Sequence, residues 1–275
     1  MDVGFESKFI TVDGIRTHYL EAGSGPAVVL LHSGEFGACA ELSWEHNIGA
    51  LARHFRVIAP DWLGFGQTDK LFDFRDMFQR RIDHMTRLVE ALGIREAAFM
   101  GNSMAGGMLA WALSQPNPPW PVTKAVLVSG GGYAPENQYR QVLNSYDGTK
   151  EHMQRMLQVL FFHPQWWSDP YLERRWRLSL EPGSWECTAA ARFRMPGRSG
   201  GGRNRHAETR YEAIRVPTLI AAGRQDYLRE PGWADQLAAQ IPLGRVVWFE
   251  EARHCPHIDC AEDFNQTVLQ FLLED

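Results

Sequence analysis

The sequence predicts an α/β protein: a mostly parallel sheet of eight strands, helices on both faces, and a helical cap inserted late in the chain. Three observations carry this. Short, continuous apolar runs alternate with helical patterns, as expected of parallel strands buried on both faces. The alternation breaks between about residues 133 and 213 and resumes at 217. Residues 97–107 run an apolar strand into Gly101-Asn102-Ser103-Met104-Ala105-Gly106, followed by a helical pattern. That is a nucleophile elbow, in which a tight turn exposes a serine hydroxyl at the top of a sheet.

The elements follow in order. Residues 8–12 and 16–21 alternate around Asp13-Gly14 and read as a hairpin that supplies an antiparallel edge. Residues 27–32 form a buried strand, residues 44–54 a helix, and residues 56–59 another buried strand. Helical spacing of Ile82, Met85, Leu88, Val89 and Leu92 marks a helix over 76–92 that stops at Gly93. Strand 97–101 enters the elbow, and 124–129 is the next strand. Strand 217–223, a helix near 231–240, strand 246–249 and a helix near 261–273 complete the core. The chain therefore divides into a core of residues 1–132 and 214–275 and a cap of residues 133–213. Helical patterns at 151–162, 171–180 and 184–193, with tryptophans at 166, 167, 176 and 185, place the cap over the carboxyl ends of the strands. Ligands of open α/β sheets bind at that edge. Within the cap, 196–206 is rich in Gly and Arg, and 192–215 holds seven Arg against two Glu. It reads either as a solvated linker or as a lid that attracts anions.

The 275 residues, 44% hydrophobic and 22% charged, suit a globular protein with a sizeable core. A net charge of −5 gives no reason to expect nucleic acid. The first residues lack the basic start and apolar run of a secretory signal, and no stretch has the length of a membrane span. Cys39, Cys187, Cys255 and Cys260 form no disulfide pattern, so the expected location is the cytoplasm.

A serine hydroxyl needs a base within hydrogen-bond reach, and the base needs an orienting carboxylate. Asp226 follows strand 217–223 and His254 follows strand 246–249, so the order Ser103, Asp226, His254 is that of a hydrolytic triad. Read blandly, these are a turn serine, an N-cap aspartate and a capping histidine. His257 is the competing base, and residues 254–260 hold enough His, Cys and Asp to raise a metal site, although their spacing matches no common zinc pattern. Oxyanion donors are expected from the amides of Met104 and Gly34, the latter in the loop after His32. His32 itself reads as a support for that loop. No metal and no cofactor is called for.

With these pieces placed, the chain resembles the α/β-hydrolase superfamily. Within it, the chain is similar to the meta-cleavage-product hydrolases, serine enzymes that cleave a carbon–carbon bond in 2-hydroxy-6-oxo-dienoates. The resemblance runs from about residue 8 to the end and is carried by residues 44–48, 55–66, 101–104, 156–160, 172–176 and 261–265. It implies that Asn102 touches the substrate's polar end. It also implies that Arg175, beside Trp176 and otherwise a helix-surface arginine, binds the dienoate carboxylate and 2-oxygen. Three departures affect the pocket. The loop after His32 carries Ser33, Glu35 and Phe36 in place of a Gly-rich sequence. Ser43 stands where the family has a substrate-contacting Asn, and Cys255 where it has Trp. An ionised Glu35 would repel a carboxylate unless it turned away or met an arginine. The expected partner is a small anionic or aromatic substrate; a homodimer is left open. Two enzymatic readings stand side by side: carbon–carbon hydrolysis, and a carboxylesterase or lactonase with the same triad. A non-catalytic ligand sensor on the same scaffold is a third.

Overall fold

The computed structural model describes residues 4–191, 193 and 208–274. Strands β1 (Glu6–Val12), β2 (Ile15–Ala22), β3 (Ala27–Leu31), β4 (Arg56–Pro60), β5 (Ala97–Asn102), β6 (Val122–Val128), β7 (Thr218–Gly223) and β8 (Gly244–Phe249) form one sheet in the order β1-β2-β4-β3-β5-β6-β7-β8. The β1–β2 hairpin and the β2–β4 pairing are antiparallel, and every other pairing is parallel. The predicted architecture and its antiparallel edge are therefore present.

Helices cover both faces. On one lie α1 (Ala40–Leu51) and α10 (Ala261–Leu273), where Trp44, Ile48, Phe264 and Val268 pack on Val28, Leu30 and Val126. On the other lie α2 (Met77–Ala91), α3 (Met104–Leu113) and α8 (Trp233–Ala238), where Met85, Leu109 and Leu237 meet Val29, Phe99 and Leu127. Alternate side chains of each strand thus feed separate cores, which is why the central strands read as unbroken apolar runs. Full burial of each such side chain contributes roughly 1.5–3 kcal/mol.

Between β6 and β7 lie α4 (Gln138–Asn144), α5 (Lys150–Leu160), a 3-10 turn (Pro164–Trp167), α6 (Tyr171–Ser179) and α7 (Ser184–Ala190). Met153, Met156, Leu157, Leu160 and Leu172 form a third core with Phe36, Leu42, Cys255 and Ile258, which lie on the segments following β3 and β8. The cap is thus packed on the segments that carry Gly34 and His254. Asp259 reinforces the joint by accepting the amides of Phe162, His163 and Arg253 at 3.0–3.3 Å.

Three details depart from the sequence reading. The first helix starts at Ala40 rather than 44, because Asp61 accepts the Ala40 amide at 2.7 Å and Cys39 caps Leu42. Helix α4 went unpredicted: it is short, none of its side chains is fully buried, and Asn137 starts it, so it shows no clear apolar period. His257, which its position three residues after His254 would put near the start of the last helix, lies instead on a separate four-residue helix, α9 (Pro256–Asp259), too short to show a period. The Gly/Arg-rich stretch 196–206 lies outside the described residues.

Candidate active site

The elbow is built by close approach. A Cβ on Gly101 would lie 2.7 Å from the Ala105 backbone, and one on Gly106 2.7 Å from the Gly101 carbonyl oxygen. With those atoms absent, β5 turns into α3 within one residue. Ser103, at that turn, has φ 55° and ψ −113°. A non-glycine residue at such a φ is strained and persists only where packing enforces it. Here the Ser103 amide donates to the Val128 carbonyl at 2.8 Å, which pins the turn to β6.

Asp226 and His254 leave the neighbouring strand ends and converge on this serine. His254 Nε2 lies 2.8 Å from Ser103 Oγ, and His254 Nδ1 lies 2.7 Å from Asp226 Oδ2. Asp226 Oδ1 accepts the Leu228 amide at 2.9 Å. Burial alone would raise the Asp226 pKa, but the charge and hydrogen bond of His254 outweigh it and hold the carboxyl below its ordinary value. The loop bearing His254 is tied to the cap, since the His254 amide donates to Leu160 at 3.0 Å.

His257 is placed elsewhere. Its ring lies 4.6 Å from that of Trp44, both ring nitrogens are buried without a partner, and burial pushes its pKa down to about 3. Among the described residues no group of three His, Cys, Asp or Glu could hold a metal ion.

Gly34 and Met104 are brought into contact: a Cβ on Gly34 would meet the Met104 sulfur at 2.6 Å. His32 holds their loop in place. Its Nδ1 donates to the Ser33 carbonyl at 2.6 Å, and its Nε2 accepts the Trp62 amide at 3.0 Å, a tautomer assigned from these partners. Burial pushes its pKa down to about 4, so the ring is neutral.

The four remaining site candidates are differently engaged. Asn102 is buried in contact with the His254 loop; its amide nitrogen donates to the carbonyls of Val128 and His254, and its Oδ1 has no partner. Ser43 is buried on α1. Trp176 donates to the Gly148 carbonyl at 2.9 Å, inside the cap. Arg175, far from lying on a helix surface, is 2% exposed. It donates to the Phe36 carbonyl at 3.2 Å and to Glu35 at 3.3 Å. Glu35 therefore meets an arginine. Burial raises the Glu35 pKa, but Arg175, His254 and the Ser33 hydroxyl together bring it below its ordinary value, so it is ionised.

A cavity of about 440 Å³ opens onto Ser103 and His254. Its wall includes Tyr211, Arg140 and Arg229, none of which the sequence marked as functional. No periodicity distinguishes a cavity arginine from a surface one, and position three residues after Asp226 was the sole available signal for Arg229.

Residues 28–267 match the model of the alpha/beta hydrolase family. The chain is 30% identical to the 2-hydroxymuconate semialdehyde hydrolase of Pseudomonas sp. (strain CF600), over 96% of this chain and 93% of the relative. It is 31% identical to the 2-hydroxy-6-oxo-6-(2'-aminophenyl)hexa-2,4-dienoic acid hydrolase of Metapseudomonas resinovorans, over 98% and 91%. A solved meta-cleavage product hydrolase from Pseudomonas fluorescens IP01 superimposes with a TM-score of 0.83 at 26% identity, covering 98% of each chain. The chain belongs to the alpha/beta hydrolase family and, within it, resembles the meta-cleavage-product hydrolases.

Proposed function

We propose that this protein hydrolyses the carbon–carbon bond between the 6-oxo carbon and its neighbour in a 2-hydroxy-6-oxo-dienoate derived from an aromatic ring. Ser103, His254 and Asp226 carry the chemistry. The observation behind the reading is the unbroken chain of hydrogen bonds from Asp226 through His254 to Ser103, on a sequence whose full-length relatives are named for this reaction.

In this reading His254 moves the proton that converts the dienol to its keto form. It then takes a proton from the nucleophile, which is the Ser103 oxygen or a water held by the same base. The new C–O bond turns the ketone into an alkoxide, which the amides of Gly34 and Met104 stabilise. Collapse breaks the C–C bond. The electron pair leaves on the dienoate fragment, which takes a proton at carbon. The acyl fragment departs as a carboxylic acid at once where water was the nucleophile, or, where Ser103 was, after a water activated by His254 cleaves the Ser103 ester and the proton returns to the serine oxygen. One water is consumed overall. Asp226 keeps His254 in the tautomer whose Nε2 accepts from Ser103. In this reading Asn102, Arg175, Ser43 and Trp176 supply the polar end on the strength of the family resemblance, none of them lining the cavity on Ser103, and residues 133–213 act as the cap. The work is done in the cytoplasm, where the four free cysteines stay reduced.

One observation favours the second reading, a carboxylesterase or lactonase. Glu35 neutralises Arg175, the cation implied for the dienoate carboxylate. Turnover of a dienoate ring-fission product and of a short aryl-ester panel, measured side by side as product formed, decides between them. Formation of the 2-hydroxydienoate and the acid supports carbon–carbon hydrolysis. Ester cleavage with the dienoate untouched overturns it.

A further inference from the structure

The two arginines in the cavity wall differ from Arg175: among the described residues neither is ion-paired with a carboxylate. Arg229 Nη1 donates to the carbonyls of Gly131 and Tyr133 at 2.8 and 3.1 Å, and its Nη2 donates to Ser129 at 2.5 Å. Its guanidinium lies 4.3 Å over the Trp233 ring, and its Nε is buried without a partner. Arg140, on α4, donates from Nε to Pro135 at 3.0 Å and from Nη2 to Leu228 at 3.3 Å, which leaves Nη1 unused among the described residues. Neither arginine has a carboxylate within 4 Å among the described residues, and no acidic residue lines the cavity. Asp226, whose charge acts on Arg229, is committed to His254 and the Leu228 amide. Burial pushes the Arg229 pKa down to about 10 against the pull of Asp226, and Arg140 adds to the push; the group is still charged at neutral pH. Carbonyl dipoles offset part of a desolvated cation's cost, and a well-placed, hydrogen-bonded anion offsets more of it.

We propose that Arg140 and Arg229 form an anion site beside Ser103, which binds a carboxylate on the acyl side of the scissile bond. The preferred substrate is then a 2-hydroxy-6-oxo-diene dioate rather than a ketone ending in a neutral aryl or alkyl group. Naming this substrate class rests on the carbon–carbon hydrolysis reading; the anion site itself does not. A cavity of this size suits a small-molecule substrate. Arg140 supplies the free Nη1 donor for a charge-assisted bond, and Arg229 supplies the uncompensated charge behind it. The Arg175–Glu35 pair does not line this cavity, so it cannot supply the same recognition.

The test uses the whole protein and two measurements. The first is turnover of 2-hydroxy-6-oxononadienedioate against its counterpart lacking the far carboxylate. The second is calorimetric binding of the corresponding acyl products, succinate against butanoate. A charge-assisted partner in a partly buried site gives a preference for the dianion on the order of tenfold or more in both. In Arg140→Gln that preference collapses, and Arg140→Lys recovers part of it, since an ammonium keeps the charge without the guanidinium geometry. The monoanionic substrate, which lacks the far carboxylate, reports in each variant whether the fold is intact. Equal binding of succinate and butanoate, undetectable binding of both included, overturns the anion site, as does a preference unaltered in Arg140→Gln. Selective succinate binding with neither ketone cleaved upholds the site and overturns the carbon–carbon reading. Equal cleavage of both ketones with unselective product binding does the reverse.

Discussion

Two buried acid–base pairs sit close to one another and have opposite consequences. Asp226 faces His254 at 2.7 Å, and Glu35 faces Arg175 at 3.3 Å. Burial raises both carboxyl pKa values, and in both the partner opposite, with its neighbours, more than reverses it. The electrostatics are alike; the cation differs. An imidazole can give up its proton, and its second nitrogen reaches Ser103 at 2.8 Å. A guanidinium stays protonated and can only position. A third buried carboxylate isolates the effect of the cation. Asp259 accepts backbone amides from three residues but has no ion pair among the described residues, and burial pushes its pKa up to about 6. Amide hydrogen bonds alone do not bring a buried carboxyl below its ordinary value here.

The contrast is most sharply tested by removing charge at equal shape. Asp226→Asn, like Ser103→Ala or His254→Ala, is expected to cost on the order of 10⁴-fold in product formation, with double variants losing little more, because the three act as a unit. Near-native product formation in Ser103→Ala would remove the distinction between the pairs. The assay must follow product, since loss of substrate colour can also report ketonisation.

Arg175→Ala is expected to cost about 2–5 kcal/mol in kcat/KM on acid-bearing substrates and far less on a neutral aryl ester. It also leaves Glu35 buried without its cation, so the melting temperature should fall, and Glu35→Gln in the same chain should restore much of it. Equal losses on both substrates would make Arg175 purely structural.

Asp259 tests the cation rule through pH. Its folded pKa of about 6 lies above its unfolded value. Between about pH 4 and 6 the folded chain keeps a proton that the unfolded chain releases, so this group's contribution to stability falls as pH rises through that window. The linkage amounts to about 2–3 kcal/mol, and denaturant unfolding of Asp259→Asn should lose that slope. An unchanged slope would mean that burial does not raise the Asp259 pKa in the folded chain.

Glu35→Gln has the smallest expected effect. It frees Arg175, so KM for an acid-bearing substrate should fall by up to about tenfold while turnover changes little. A large loss of turnover would mean that Glu35 takes part in the chemistry, and the two pairs would no longer differ in kind.

Much of this protein was legible in one dimension. The parallel sheet follows from apolar runs whose alternate residues feed two cores, as Val28 and Val29 do. The elbow is legible because Gly101 and Gly106 are required within a few residues of Ser103. The order of serine, acid and base follows from strand order, so Asp226 and His254 could be named. Those are local constraints, and a sequence records them locally. What Arg175 faces, what Arg140 and Arg229 lack, and where Ala40 finds its cap were decided by folding. Each is a relation between residues from 21 to 140 positions apart. Charge pairing across such distances leaves no period in the chain, because it depends on which loops the packed cap and sheet bring together.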